Sequence, residues 1–382
     1  MHILLTGGTG LIGRALCRHW LAAGHQLSGW SRRPEQVAAL CGAQVRGIGR
    51  LQELGEEPLD AIVNLAGAPI ADRLWTRRRK AELLASRVQL TDQLVEWLAT
   101  RRQRPALLLS GSAVGWYGCA GEQELDENSG SPAEDFASQL CAAWEDSARA
   151  AEALGLRVVL LRTGLVLARQ GGLLKRMHLP FSLGLGGPLG DGRQWMPWIH
   201  LADQIALIDF LLQHPQASGP YNACAPQPVR NRDFARALGQ ALHRPAWLAA
   251  PAGLLRLLLG ELAELLLDGQ RAVPRRLLQA GFRFRFTTLE EALADREVAL
   301  AQARAESRGY VVELEALRGE LARLERENVE LAGFYRRLVD EFEPQLAGGR
   351  AWLVVYADRT VVALGEQIWF ERGSAALTAE GR

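Results

Sequence analysis

The chain has 382 residues, 48% of them hydrophobic and 23% charged, which supplies a sizeable core and is too long for one small domain. Forty-four Lys and Arg against 43 Asp and Glu give a net charge of +1, arguing against a chain built mainly to hold a nucleic-acid backbone or an anionic membrane. Wholesale disorder and collagen-like repetition are excluded by the same composition, and a small-molecule partner stays open.

In chain order, short apolar runs at 2–6, 26–30, 61–65, 106–110 and 158–161 alternate with helical patterns at 13–23, 81–100 and 133–154. That rhythm predicts an α/β fold: a doubly wound parallel sheet with helices on both faces, forming a dinucleotide-binding domain over 1–169. Residues 170–225 are rich in loop signals, with Gly-Gly pairs at 171–172 and 186–187. Helical patterns near 231–242 and 252–267 follow, and Phe282, Phe284 and Phe286 alternate with the period of a short strand. Residues 170–294 are therefore expected to form a smaller substrate lobe.

The pattern changes near Asp295. Leucines recur at 317, 324, 331 and 338, with Leu314, Leu321, Asn328, Tyr335 and Phe342 on the companion positions. This a/d seam predicts a coiled coil over 295–343, with a homodimer through 307–342 and Asn328 facing its own copy; a surface helix folded on its own domain is the alternative. Residues 344–382 read as a β segment, strand-like over 351–370.

Five scattered cysteines and seven dispersed histidines show no C-x-x-C pair and no zinc-ligand spacing, so free thiols in a reducing compartment and no metal are expected. The N-terminus turns into glycines at Gly7 without a basic leader, and the apolar stretch 248–267 is broken by Pro251, Arg256, Glu261 and Glu264. Neither export by a signal peptide nor membrane insertion is expected, and the location reads as cytoplasmic.

The first strand runs into Gly7-Gly8-Thr9-Gly10-Leu11-Ile12-Gly13, and a helix follows. Gly7 permits the sharp turn, Gly10 the approach of a pyrophosphate, and Gly13 close packing of helix and strand, while the amides of the helix N-terminus meet the phosphates. The second strand ends Trp30-Ser31-Arg32-Arg33 with no carboxylate. A carboxylate there would select the free ribose hydroxyl of NAD, whereas Arg32, with Ser31 adding a hydrogen bond, suits the 2′-phosphate of NADP(H). NADPH is preferred on this reading and NAD remains possible; a solvated basic turn is the structural alternative.

The Gly-x-x-Gly-x-x-Gly of 7–13, the turn Asn64-Leu65-Ala66-Gly67, and Ser110-Gly111-Ser112 with Tyr117-Gly118 together resemble an extended short-chain dehydrogenase/reductase. Ala66-Gly67-Ala68-Pro69-Ile70, Ser86-Arg87, Leu161-Arg162-Thr163-Gly164-Leu165, 183–190, Trp198-Ile199-His200 and Gly281-Phe282 narrow it over residues 1–294 to the epimerase-like family called cell-division-inhibitor-related. The resemblance implies a Rossmann-type domain, a small C-terminal substrate lobe, a bound nicotinamide cofactor, and cofactor contacts at Ser31, Arg32, Leu65, Ala66, Gly67 and Arg87. Arg87 also reads as a solvated member of the basic run Arg77-Arg78-Arg79-Lys80. More briefly, the segment from Leu353 onward resembles the start of an OmpA/MotB-like domain whose later part is missing.

The usual proton relay of such enzymes is Y-x-x-x-K, about twenty residues after Tyr117. Here that place reads Asp135-Phe136-Ala137-Ser138-Gln139-Leu140-Cys141, with neither a phenol nor an amine. Ser112 stands where the catalytic serine is expected and Tyr117 is the nearest phenol, so these two are the candidate catalytic residues. His200 with Asp203 reads either as a proton-handling pair or as a loop anchor, and Trp195 and Trp198 as pocket wall or as packing. Three functions remain open: an NADP(H)-dependent oxidoreductase or epimerase acting on a carbonyl or sugar-like molecule, a cofactor-binding sensor or scaffold without chemistry, and an oligomerised envelope adaptor.

Overall fold

The computed structural model describes residues 1–295 apart from Ser131, Arg169 and Gln170, and beyond them residues 318–324, 329, 333, 336, 340, 351–355 and 360–364. The chain forms two compact units, Met1–Val298 and Ala299–Arg382.

In the first unit, β1 (His2–Thr6), α1 (Leu11–Ala22), β2 (Gln26–Trp30), α2 (Val37–Cys41), β3 (Arg46–Ile48) and β4 (Ala61–Asn64) build the first half of a sheet. A long helical segment follows as α3 (Arg77–Leu84), a π-turn (Ala85–Gln89) and α4 (Leu90–Thr100). It starts four residues before the sequence expectation because the Thr76 side chain accepts from the Arg79 amide and caps the basic run. The second half comprises β5 (Leu107–Ala113), α5 (Phe136–Arg149) and β7 (Arg157–Thr163), while the short β6 (Glu124–Leu125) between β5 and α5 lies outside this sheet.

Beyond β7 the chain continues through β8 (Leu165–Ala168), α6 (Gly172–Ser182), β9 (Trp195–Met196), β10 (Trp198–His200), α7 (Leu201–Gln213), β11 (Gly219–Ala223), β12 (Val229–Arg230) and α8 (Asn231–Ala241). After these come α9 (Ala252–Leu259), α10 (Glu264–Leu267), β13 (Arg271–Ala272), α11 (Arg275–Gln279) and α12 (Leu289–Ala294).

The main sheet is seven-stranded and wholly parallel, in the order β11-β7-β5-β4-β1-β2-β3. Its strands are buried on both faces, as their unbroken apolar sequences require. One core cluster joins Ile3, Leu5 and Val63 to Leu16 and Trp20 of α1 and Leu207 and Leu211 of α7. On the other face Leu4, Ile62 and Leu108 pack on Leu94, Trp97 and Leu98 of α4. This is the doubly wound, Rossmann-like α/β fold, and the order reverses between β1 and β4, where such sheets open a crevice at their carboxyl ends.

Two differences from the sequence reading have physical causes. The seventh strand, β11, lies in the segment read as loop: Tyr221, Asn222 and Ala223 pair with Leu161, Arg162 and Thr163, so a segment beyond residue 170 supplies a strand of the main sheet. The phenylalanine stripe is not a strand. The amides of Arg285 and Phe286 donate to the Asp203 carboxylate, at 2.8 and 3.0 Å, where a strand would use a neighbouring backbone.

In the second unit residues 318–324 are helical, and β14 (Ala351–Val355) pairs antiparallel with β15 (Thr360–Leu364). Asn328, and the parts of 295–343 and 344–382 not named above, lie outside the described residues.

Candidate cofactor groove and the corner beside it

Gly7 sits at the carboxyl end of β1 with φ +69°, and a Cβ there would stand 2.6 Å from the Leu65 carbonyl oxygen, so only glycine lets the two crevice walls approach. At Gly13 a Cβ would come within 2.3 Å of the Gly7 oxygen; the first turn of α1 is pressed against the loop. Gly10 differs, because a Cβ there meets only the Gly7 oxygen, at 3.2 Å. No side chain caps α1, so the amides of Leu11 and Ile12 in its first turn lack partners within the helix and offer charge-stabilising donors to an anion.

A buried polar chain holds the opposite wall. The Thr6 hydroxyl donates to Asn64 Oδ1 at 2.7 Å and accepts the Ala66 amide at 3.0 Å. Asn64 Nδ2 donates to Thr91 Oγ1 at 2.9 Å and to Ser110 Oγ at 3.1 Å. β1, β4, β5 and α4 are thereby fixed to one another where the Leu65–Ala66 turn leaves the sheet. Thr6 and Thr91 were not singled out from the sequence, and Asn64 and Ser110 entered only within the motifs that carry the resemblance; short polar residues ending three adjacent apolar strands are the signal that could have found this chain of bonds.

The crevice is a cavity of about 630 Å³ whose walls include Gly7, Gly10, Ser31, Arg32, Leu65, Ala66 and Gly67. Arg32 is exposed at its rim and, among the described residues, forms no ion pair. Ser31 Oγ accepts the Arg33 amide at 3.1 Å. Arg87, half-buried, is turned neither to solvent nor far from the crevice: its guanidinium lies behind Gly67, where a Cβ would be 2.9 Å away, and donates to the Ala68 carbonyl at 3.0 Å. Burial lowers its pKa. Arg79, from the same basic run, is buried and pins the loop over the crevice through Pro69 O and Asp72. The thiols of Cys17 and Cys41 meet below Gly8, where a Cβ would stand 3.5 Å from Cys41 Sγ, and the hydrogen bond between them pushes the Cys17 pKa up.

The groove fits a dinucleotide on the structure's own terms: a glycine cradle, uncapped helix amides and, at the rim, a guanidinium with no ion pair among the described residues. Gly7, Gly10, Leu11, Ile12 and Gly13 would hold the phosphates, and the nicotinamide would supply or take up hydride.

The corner beyond β5 is closed. Ser112 Oγ donates to Glu145 Oε1 at 2.7 Å. Glu145 also receives Arg162 Nε and NH2, at 2.8 and 2.9 Å, in a pair only 2% exposed on each side. Arg162 stacks 3.5 Å from the Trp116 ring centroid, and its NH1 finds no partner among the described residues. Glu145 follows Ala137 and Cys141 at helical spacing along α5, one turn past the place where a lysine was expected. Neither Glu145 nor Arg162 was found from sequence, although a cation inside the apolar strand 157–163 is an available signal.

The Tyr117 hydroxyl lies 2.9 Å from both the Asp126 carbonyl and Asn222 Oδ1. Burial pushes its pKa up to about 12 against the pull of Arg162. The phenol is thus protonated and engaged inside the fold. His200 and Asp203 act as anchors: His200 Nδ1 accepts the Ala202 amide and caps α7, while Asp203 holds the 285–286 backbone. Trp198 is wholly buried, donating to Gln227 O, and Trp195 lies under Arg230. Among the described residues no group of three or more His, Cys, Asp or Glu could hold a metal, and no helix is long and apolar enough to cross a membrane.

Comparison with known proteins agrees with this geometry. Residues 3–224 match the NAD dependent epimerase/dehydratase family, and residues 250–295 match a domain of unknown function, DUF1731. The epimerase family protein YfhF of Bacillus subtilis is 36% identical over 296 residues, covering 77% of this chain and 97% of the relative. Mb2239 of Mycobacterium bovis, also named an epimerase family protein, is 42% identical over 293 residues, covering 76% and 96%. The crystal structure of human epimerase family protein SDR39U1 with NADPH superimposes with a TM-score of 0.69 at 36% identity, covering 77% of this chain and 98% of that one. A UDP-galactose 4-epimerase structure, at 16% identity and a TM-score of 0.60, shares the fold alone. The chain belongs to the NAD dependent epimerase/dehydratase family and is a nicotinamide-dinucleotide-binding protein of the extended short-chain dehydrogenase/reductase type.

Proposed function

We propose that the chain is an NADPH-dependent oxidoreductase or epimerase acting on a small carbonyl or sugar-like molecule. The observation that carries this reading is Arg32, unpaired among the described residues at the rim of the dinucleotide groove, on a strand end that carries no carboxylate. The human relative bound to NADPH supports it; a relative of the fold holds NAD, so the test is a direct comparison. Calorimetric titration should give tighter binding of NADPH than of NADH, and Arg32→Asp should cost about tenfold to a hundredfold in NADPH affinity, the scale of one charge-assisted hydrogen bond. Equal affinities, or an unchanged preference in the variant, would overturn the assignment.

In this reading Ser112 is the group that meets the substrate oxygen, with Glu145 holding its hydroxyl and Tyr117 bracing the floor through Asn222. A second reading is a cofactor-binding sensor without chemistry, favoured by the engagement of both Ser112 and Tyr117 in internal hydrogen bonds. Oxidation of NADPH with a carbonyl panel, followed by its absorbance, separates the two: turnover slowed about tenfold to a thousandfold by Ser112→Ala supports the enzyme, and no turnover with intact NADPH binding supports the sensor.

The coiled coil over 307–342 is proposed to join two copies of the chain, supported by exposed Leu321 and Leu324 on the helical residues 318–324. A chain ending at Ala294 should keep NADPH binding and sediment as a smaller species. A monomeric full-length chain would end this proposal.

A further inference from the structure

The near-neutral charge of the whole chain conceals a local segregation. Residues 171–190 and 234–260 contain no Asp or Glu, although the chain carries 43 in 382 residues. In the fold these segments run side by side: the Leu248 amide donates to Gly186 O, Ala250 to Pro188 O and Gly190 to Ala250 O. Arg244 Nε donates to Ser182 O at 3.0 Å. They form one face made of α6, the loop after it, the 242–251 loop and α9.

That face is apolar where proteins are usually polar. Leu179, Leu183 and Leu185 project from the first segment and Trp247, Leu257 and Leu258 from the second; Trp247 is 76% and Leu257 82% exposed. On α9 the outward leucines are adjacent in helical spacing, while Leu259 turns inward to a cluster with Trp75 and Leu262. The inner side is therefore fixed, and the outer side has no partner among the described residues. Among them stand Lys175, Arg176, Arg244 and Arg256, none in an ion pair among the described residues.

We infer that this face docks on an anionic lipid bilayer, the leucines and Trp247 entering the boundary between headgroups and acyl chains and the four cations pairing with lipid phosphates. Leu and Trp interspersed with Lys and Arg suit an interface that is apolar below and negative above. A second copy fits less well: a two-fold contact would bring two sets of four cations, unpaired among the described residues, into one interface, with no carboxylate in either segment to answer them. The anchoring is peripheral, since no described helix can span a bilayer, and it is independent of the reaction proposed above.

The test is sedimentation of the full chain with vesicles of phosphatidylcholine alone and of phosphatidylcholine carrying about 30% phosphatidylglycerol. The anionic vesicles should pellet at least about tenfold more protein, falling with added salt. Leu257→Glu with Leu258→Glu, and separately Lys175→Glu with Arg256→Glu, should each lower that binding about tenfold or more while melting temperature and NADPH affinity stay unchanged. If the leucine variant fails to fold, the charge variant alone decides. Equal pelleting with both vesicles, none with either, or binding indifferent to the substitutions would overturn the inference. Sedimentation velocity without lipid provides one more arm: self-association abolished by Leu257→Glu with Leu258→Glu would assign the face to a second copy instead.

Discussion

The dinucleotide groove and the corner around Ser112 stand at the carboxyl ends of neighbouring strands of one sheet, yet they treat polar groups in opposite ways. In the groove, the first α1 amides have no side-chain cap and Arg32 has no ion pair among the described residues, at the edge of a cavity. In the corner, Ser112, Glu145 and Tyr117 are bonded to protein groups and buried. Open donors at a helix N-terminus cost little because water covers them until an anion arrives. A buried ion pair is tolerable only when complete, because each partner removes the other's desolvation penalty. The groove is thus organised for a ligand, and the corner first of all for itself.

The sharpest way to break this contrast is Glu145→Ala. Removing the carboxylate leaves Arg162 buried against the Trp116 and Tyr117 rings with no carboxylate to answer its charge, and loss of one partner from a buried pair costs about 3–5 kcal/mol. Urea denaturation should show that loss. A change below about 1 kcal/mol would mean that water reaches Arg162 and that the corner is open after all.

Tyr117 gives a second handle through alkaline pH. Its folded pKa is raised from about 10 to about 12 by burial, so between these values the unfolded chain has released a proton that the folded chain keeps. Stability from this group is complete below pH 10 and falls by about 2–3 kcal/mol as pH rises through 12. Comparing the alkaline limbs of the native chain and Tyr117→Phe should show a shallower fall in the variant. Parallel limbs would place the phenol in solvent and restore it as a proton donor.

How much of this was readable beforehand follows the same division. The groove is local: strand, glycines and helix stand within residues 2–22, and Ser31 and Arg32 end the next strand, so spacing alone places them. The corner is assembled from β5, α5 and β7, and Glu145 on an amphipathic helix reads as a surface acid until Arg162, seventeen positions later, is folded against it. β11 was missed because Gly219 and Pro220 mark it as loop, whereas pairing with β7 overrides that local preference. The stripe Phe282, Phe284, Phe286 had strand spacing, but the Asp203 carboxylate takes the amides a strand would have used.

Within the groove, two glycines separate packing from ligand approach. Gly13→Ala should lower stability by about 1–3 kcal/mol, the usual cost of an overpacked site, since its Cβ would overlap the Gly7 oxygen. Gly10→Ala should leave the melting temperature nearly unchanged and weaken NADPH, because the new methyl occupies the side from which a phosphate approaches. Equal effects on both quantities in both variants would remove the distinction.

The smallest expected effect concerns the thiols, and it tests whether the cofactor covers the floor of the groove. Cys119 is exposed and should react first with an alkylating reagent. Cys141 and Cys224 are buried, their pKa values pushed up by burial, and should resist as long as the chain is folded. Cys41 is buried too, but it lies in the wall of the cavity, against Gly8, so a reagent that reaches it through the cavity must enter the space a dinucleotide would fill. Mass spectrometry of the alkylated chain should show Cys41 labelling slowed several-fold by NADPH, while Cys119 labels at the same rate with or without it. Protection of Cys119 as well would indicate a general tightening of the fold; unprotected Cys41 would place the nucleotide away from the glycine loop, and the contrast between groove and corner would lose its first term.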